Sequence, residues 1–165
     1  MNDIQRTIYV SEYDRVIVTR LIEISGTYLL EKPLYNSDLY EAAYNLKIKS
    51  LKGVFLRDNL PKRIRKNESG IFNLDDSNPL DDFGTKSTEG THWVCWFKRG
   101  NEKYYFDSAG LQAPLELQKY LGKHEYNTKE VQPRGSVICG HLCLFVLKKL
   151  EEGMTLDEAV RDLLE

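Results

Sequence analysis

Two aromatic-rich runs set what this chain can fold into. His92-Trp93-Val94-Cys95-Trp96-Phe97 and Lys103-Tyr104-Tyr105-Phe106 flank the turn-forming stretch Arg99-Gly100-Asn101-Glu102. Aromatic and β-branched side chains suit a pleated strand, and a short Gly/Asn connection folds two such strands back on each other. The pair reads as a β-hairpin at the heart of a sheet. Farther along, Cys139, Leu142, Cys143, Val146 and Leu150 fall at relative positions 0, 3, 4, 7 and 11. That is one face of an α-helix, with Gly153 beyond its end.

The remaining elements read less strongly. Residues 15–24, RVIVTRLIEI, are rich in β-branched side chains and predict a strand. Asn36-Ser37-Asp38 offers helix caps before Leu39, Ala42, Ala43 and Leu46, which are spaced for an amphipathic helix. Gly53-Val54-Phe55-Leu56 and Ile71-Phe72-Asn73-Leu74 predict short strands, and residues 75–89 a long loop. Pro114 opens a helix carrying Leu115, Leu117, Tyr120 and Leu121, stopped by Gly122. Glu130-Val131-Gln132 predicts one more strand, and Thr155-Leu156-Asp157-Glu158 a capping box for a last helix. Helices and strands do not strictly alternate, so the fold class is α+β, a mostly antiparallel sheet packed on helices.

Bulk properties bound the function. A chain of 165 residues predicts one domain, 1–165, large enough to bury a core without disulfides or a structural metal. The net charge of −2 gives no global argument for nucleic-acid binding. No apolar run is long enough for a membrane span, and the first residues lack the apolar core of a signal peptide. Three cysteines make no disulfide framework and predict a reducing intracellular compartment, where a thiol stays nucleophilic.

In chain order the sequence supplies His92, Asp107, Gln132 and Cys139. These are the parts of a thiol hydrolase: base, orienter, oxyanion donor and nucleophile. Cys139 falls at the first turn of its helix, where free N–H groups and the macrodipole favour a thiolate. Gly140 leaves room there for a substrate backbone, and Trp93 roofs the channel. The hairpin explains how His92 and Asp107 meet, since one precedes its first strand and the other follows its second. Each residue also has a plainer reading. A cysteine on an apolar helix face is usually a packed small hydrophobe, which suits Cys143 and Cys95. Asp107 can cap the turn at Ser108, and His124 and His141 read as surface residues. Cys139 and Cys143 with distant histidines are poorly spaced for a structural metal, so none is expected.

Gly90-Thr91-His92-Trp93, Phe106-Asp107-Ser108-Ala109-Gly110, Gln132 and Cys139-Gly140-His141-Leu142-Cys143 resemble the adenovirus-type maturation proteases, the adenain-like cysteine peptidases. They look most like relatives carried by polinton-type elements and related viruses. Phe55-Leu56-Arg57-Asp58 and Ile71-Phe72-Asn73 also resemble family segments, so the likeness spans about 52–150. Residues 1–35 have no counterpart and read as an added edge of the domain or a lineage-specific extension. The resemblance implies the adenain/ubiquitin-like-protease fold with a papain-like mechanism. It also implies cleavage of viral capsid and core precursors at Gly-rich sites during virion assembly, by an enzyme packaged in virions and working in the host nucleus or cytoplasm.

The chain departs from the family in three ways. Its acid is Asp107, where adenoviral members carry Glu. No cysteine lies between Asp107 and Cys139 to tether a peptide activator. The chain is acidic where the adenoviral enzymes are basic and use DNA, which leaves Lys62, Arg63, Arg65 and Lys66 as the patch for any DNA contact. The expectation is therefore a monomer without cofactor, with precursor proteins as partners and no membrane. Two alternatives stand beside it. Deconjugating proteases for ubiquitin-like proteins share the fold, but typically show Asp-Cys-Gly at the nucleophile, where this chain has Ile138-Cys139-Gly140. A non-enzymatic binding module on the same fold would not need all four residues.

Overall fold

The structure, a computed structural model, describes residues 12–25, 34–74, 92–132 and 136–164. The long loop expected at 75–89 and the Gly90-Thr91 part of the His92 motif lie outside them. In order, the elements are α1 (Glu12–Ser25), α2 (Asn36–Asn45), β1 (Leu51–Phe55), β2 (Asn67–Asn73), β3 (Trp93–Arg99), β4 (Glu102–Phe106), α3 (Leu115–Leu121), β5 (Glu125–Tyr126), α4 (Cys139–Glu151) and α5 (Leu156–Leu164). The architecture is α+β.

The five strands lie in the order β1-β2-β3-β4-β5. The centre is antiparallel, with β2 against β3 and β3 against β4, as the hairpin requires. Both edges are parallel: β1 runs with β2, and β5 with β4. The sheet is thus mixed, with an antiparallel centre and short parallel edges. Connections decide this. Helix α3 carries the chain back after β4, so β5 must run in the same direction, and residues 56–66 do the same between β1 and β2. The strand expected at Glu130–Gln132 does not form. Those residues lie beside Ser108, whose carbonyl accepts the N–H groups of Val131 (2.8 Å) and Gln132 (3.2 Å).

Side chains alternate across the central strands. Ile71, Trp93, Cys95, Phe97, Tyr104 and Phe106 join one apolar cluster with α1, α2, α4 and α5. Phe72, Val94, Trp96 and Tyr105 point the other way, toward Leu117 and Leu121 of α3. Trp96 lies over Gly70, its register partner, where an added Cβ would overlap the indole at 2.3 Å. Helix α4 is buried on nearly every side from Cys139 to Leu147, the mark of a central helix.

Residues 15–24 belong to a helix, α1, and not to a strand. Ile17, Val18 and Leu21 are buried at helical spacing in the main cluster. Glu12 and Asp14 occupy the first turn, where the macrodipole favours acids. Arg20 lies over the Phe145 ring at 4.5 Å and donates to the Asp162 side chain on α5 at 3.1 Å. β-Branched residues cost a helix only about 0.5 kcal/mol each, which this packing outweighs. The segment read as an extension thus contributes to the common core.

Candidate active site

His92 immediately precedes β3 and Asp107 immediately follows β4. The register pairs Cys95 with Phe106, so one further step sets Asp107 opposite Val94, two residues from His92. The His92 Nε2 and Asp107 Oδ1 atoms are 2.6 Å apart. The imidazole keeps 25% of its surface, while the carboxylate keeps 3%. With Asp107 on Nε2, Nδ1 is the ring nitrogen left to exchange a proton with another group.

That group is Cys139. It begins α4, and its Sγ accepts the backbone N–H of Trp93 at 3.5 Å, which holds the sulfur beside the start of β3. Burial pulls the His92 ring down, but hydrogen bonds to Asp107 and Cys139, and the negative charge of both, outweigh it. The imidazole is raised from 6.5 to about 10 and so is protonated at neutral pH. An imidazolium beside sulfur favours the thiolate, the form that attacks carbonyl carbon.

The other cysteines are placed for packing. Cys143 donates its S–H to the Trp93 carbonyl at 3.4 Å, and Cys95 lies beside it, donating to the Cys143 carbonyl at 3.9 Å. Burial pushes the Cys143 thiol well up. His141, expected at the surface, is fully buried, since all sides of α4 face protein. His124 is exposed, with Nδ1 2.7 Å from the Gly122 carbonyl oxygen.

Asp107 both orients His92 and caps its own turn. Its Oδ1 also accepts the Ala109 N–H at 2.8 Å, and its carbonyl accepts the Gly110 N–H at 2.8 Å. Gly110 has φ +76°, and a Cβ there would press on the backbone of residues 128–130 at 2.8–3.0 Å, so this turn demands glycine. Asn127 completes the clamp. Its Oδ1 accepts the Asp107 N–H at 3.0 Å, and its Nδ2 donates to the Asp107 carbonyl at 2.6 Å. Sequence reading missed Asn127. The only cue is a polar residue just after a short aromatic strand, a pattern shared by most loops.

Gln132 lies between the Asp107 turn and the start of α4. Its Oε1 accepts the Ser108 hydroxyl, which fixes the amide, and its Nε2 donates to the Ser136 carbonyl at 2.8 Å. An amide nitrogen carries two N–H groups, so one remains for a substrate oxygen. The start of α4 supplies further donors, because first-turn N–H groups have no partner within a helix.

Trp93 and Gly140, expected to meet substrate, also pack against the core. Trp93 is buried and donates its indole N–H to the Leu34 carbonyl at 2.9 Å. A Cβ on Gly140 would meet Leu39, Trp93 and Leu34 at 3.2, 3.3 and 3.5 Å. The glycine makes room for these side chains. Lys62, Arg63, Arg65 and Lys66 are exposed in the loop before β2. Asn67 pairs with Arg99 and Asn73 with Trp93, so this basic run lies at the opposite end of the sheet from His92. Among the described residues no three His, Cys, Asp or Glu side chains cluster to hold a metal, and no helix is long and apolar enough to cross a membrane.

No family model matches the chain, and no curated protein matches it in sequence. Among solved structures, the chain is similar to a crystal structure of the ASFV pS273R protease. The TM-score is 0.47 at 15% identity, over 95% of this chain and 79% of that one. A selenomethionine form of the same protease gives 0.47 and 16%, over 79% of this chain and 62% of that one.

Proposed function

We propose that this chain is a cysteine endopeptidase. The observation that carries the reading is His92 held between the Asp107 carboxylate at 2.6 Å and the Cys139 sulfur at a helix start. The Cys139 thiolate attacks the scissile carbonyl, forming a C–S bond and an oxyanion that Gln132 and the first N–H groups of α4 receive. The tetrahedral species collapses as His92 gives its proton to the leaving amine, and a thioester remains. His92, now neutral, takes a proton from water; the resulting hydroxide adds to the thioester and releases the acid and the thiolate.

Small residues beside the scissile bond fit the setting, because Cys139 is only 7% exposed. Together with the motif resemblance, this favours Gly-rich cleavage sites in viral capsid and core precursors during virion maturation. The isolated chain is expected to act without a disulfide-tethered peptide, since all three cysteines are buried and none lies between Asp107 and Cys139. The basic run is remote from His92, so a DNA contact there would act at a distance.

The test is an intact-mass readout of candidate capsid precursors and a short Leu-x-Gly-Gly peptide, incubated with wild type and Cys139→Ala. Cleavage by wild type alone supports the reading. Ubiquitin and SUMO fusions bearing the same Gly-Gly form the second arm. Cleavage of the fusions with none of the peptide would move the chain to the deconjugating proteases.

A further inference from the structure

We propose that Asp14, on α1, is a positioning residue for the oxyanion donor Gln132, acting through Ser136; this rests on the peptidase reading above. Asp14 is a carboxylate only 5% exposed, more than a hundred residues from Gln132 and Cys139 in sequence. Its Oδ2 accepts the Ser136 hydroxyl at 3.0 Å. The same hydroxyl oxygen accepts the Ile138 N–H at 3.4 Å, one residue before the nucleophile. The Ser136 carbonyl in turn accepts Gln132 Nε2 at 2.8 Å. Asp14, Ser136 and Gln132 thus form one chain of hydrogen bonds, and Ser108 closes it from the side of the catalytic acid.

The direction of control follows from what is fixed. Helix α1 is anchored by Ile17, Val18 and Leu21 in the main cluster and by Arg20 on Asp162. Residues 136–138 form no helix or strand and lead directly into Cys139. A carboxyl acceptor on a rigid helix therefore sets the rotation of Ser136, and with it the carbonyl that holds the Gln132 amide. A hydrogen bond to a carboxylate is roughly twice as strong as one between neutral groups, which suits an anchor. The bonds end at the oxyanion donor and do not reach His92. Asp14 should thus affect the step that creates an oxyanion and leave the reactivity of the thiolate alone.

Alkylation separates the two, because iodoacetamide reacts with a thiolate without forming an oxyanion. The experiment uses the full chain and compares wild type, Asp14→Ala, Asp14→Asn, Ser136→Ala, Gln132→Ala and the Asp14→Ala/Gln132→Ala double variant. Each is assayed for peptide turnover and for the rate of Cys139 alkylation. Asp14→Ala and Ser136→Ala should each lower kcat roughly 10-fold with KM changed less than about twofold. Cys139 should alkylate at the wild-type rate. Asp14→Asn, which keeps an acceptor oxygen, should recover most of kcat. The double variant should be no slower than Gln132→Ala alone, since residues acting through one group are not additive.

Wild-type kcat in Asp14→Ala, or multiplied losses in the double variant, would overturn the assignment. So would alkylation that slows in step with kcat, the sign of a general loosening. If Asp14→Ala does not fold, Ser136→Ala decides by the same criteria. Failure of wild type to cut any substrate, with Cys139 no more reactive than Cys143, would instead sink the peptidase reading, and this inference with it.

Discussion

Replacing Asn127 by Ala tests how Asp107 is held. The side chain is 7% exposed and makes hydrogen bonds of 3.0 and 2.6 Å to the two backbone groups of Asp107, with a weaker one of 3.2 Å to the Lys129 carbonyl. Truncation leaves the Asp107 N–H without this partner, while its carbonyl keeps the Gly110 N–H at 2.8 Å. One orphaned buried backbone group costs about 1–3 kcal/mol, so a loss of that size is expected. For a chain of this size that lowers Tm by roughly 2–12 °C. Urea unfolding should show a lower midpoint at an unchanged slope. At temperatures where the variant stays folded, kcat should fall while KM holds, because the displaced carboxylate orients His92 less well. Asn127→Asp is a harsher change, setting a carboxylate against the Asp107 and Lys129 carbonyls. A stability loss below about 0.5 kcal/mol with unchanged kcat would show that the acid turn does not depend on Asn127.

The His92 ring, raised from 6.5 to about 10, is favoured in its protonated form by the folded state. Its contribution to stability is therefore complete below about 6.5 and is lost as pH rises through about 10. The basic limb of kcat/KM should lie near 10, and Asp107→Asn should move it down, since burial then acts with less opposition; an unmoved limb would refute the pairing. Brief iodoacetamide treatment followed by peptide mapping should label Cys139 far ahead of Cys95 and Cys143, and equal labelling would rule out Cys139 as the nucleophile. Gln132→Ala should lower kcat about 10²-fold or more, a loss on the order of 3 kcal/mol in the barrier; a change in KM alone would make Gln132 a substrate contact instead. Gly140→Ala should destabilise by about 1–3 kcal/mol as the new methyl presses on Leu39 and Trp93, measured by urea midpoint; wild-type stability would show that the pocket yields freely.

Patterns governed by neighbours in sequence were legible before the structure. The hairpin of β3 and β4 has its aromatic alternation and its turn. Helix α4 has its period, and α2 and α5 have their caps. His92 and Asp107 were predictable as neighbours because a hairpin ties its two outer ends together. What failed was set by distant contacts. Residues 15–24 look like a strand because β-branched side chains dominate them, yet packing on α4 and α5 makes them a helix. Strand direction at the sheet edges depends on the connections, which no strand sequence records. Asn127 and Ser136 carry no local signature, because a polar loop residue that clamps a backbone reads like one that faces water. Gly140 carries a further constraint of the same kind, since the side chains that a Cβ there would meet, Leu34, Leu39 and Trp93, come from distant segments.

Trp93 gives the site an unusual kinetic character. Its amide N–H meets the Cys139 sulfur, its carbonyl accepts the Cys143 thiol and its indole meets the Leu34 carbonyl, so one residue joins β3, α4 and the segment before α2. Local breathing that separated nucleophile from base would have to break all three at once. Amide exchange at Trp93 should then proceed only through global unfolding, on the slowest scale the molecule offers, while the Asn101 turn exchanges freely. In this enzyme candidate the backbone amide that donates to the Cys139 sulfur would be one of the last to meet solvent deuterium.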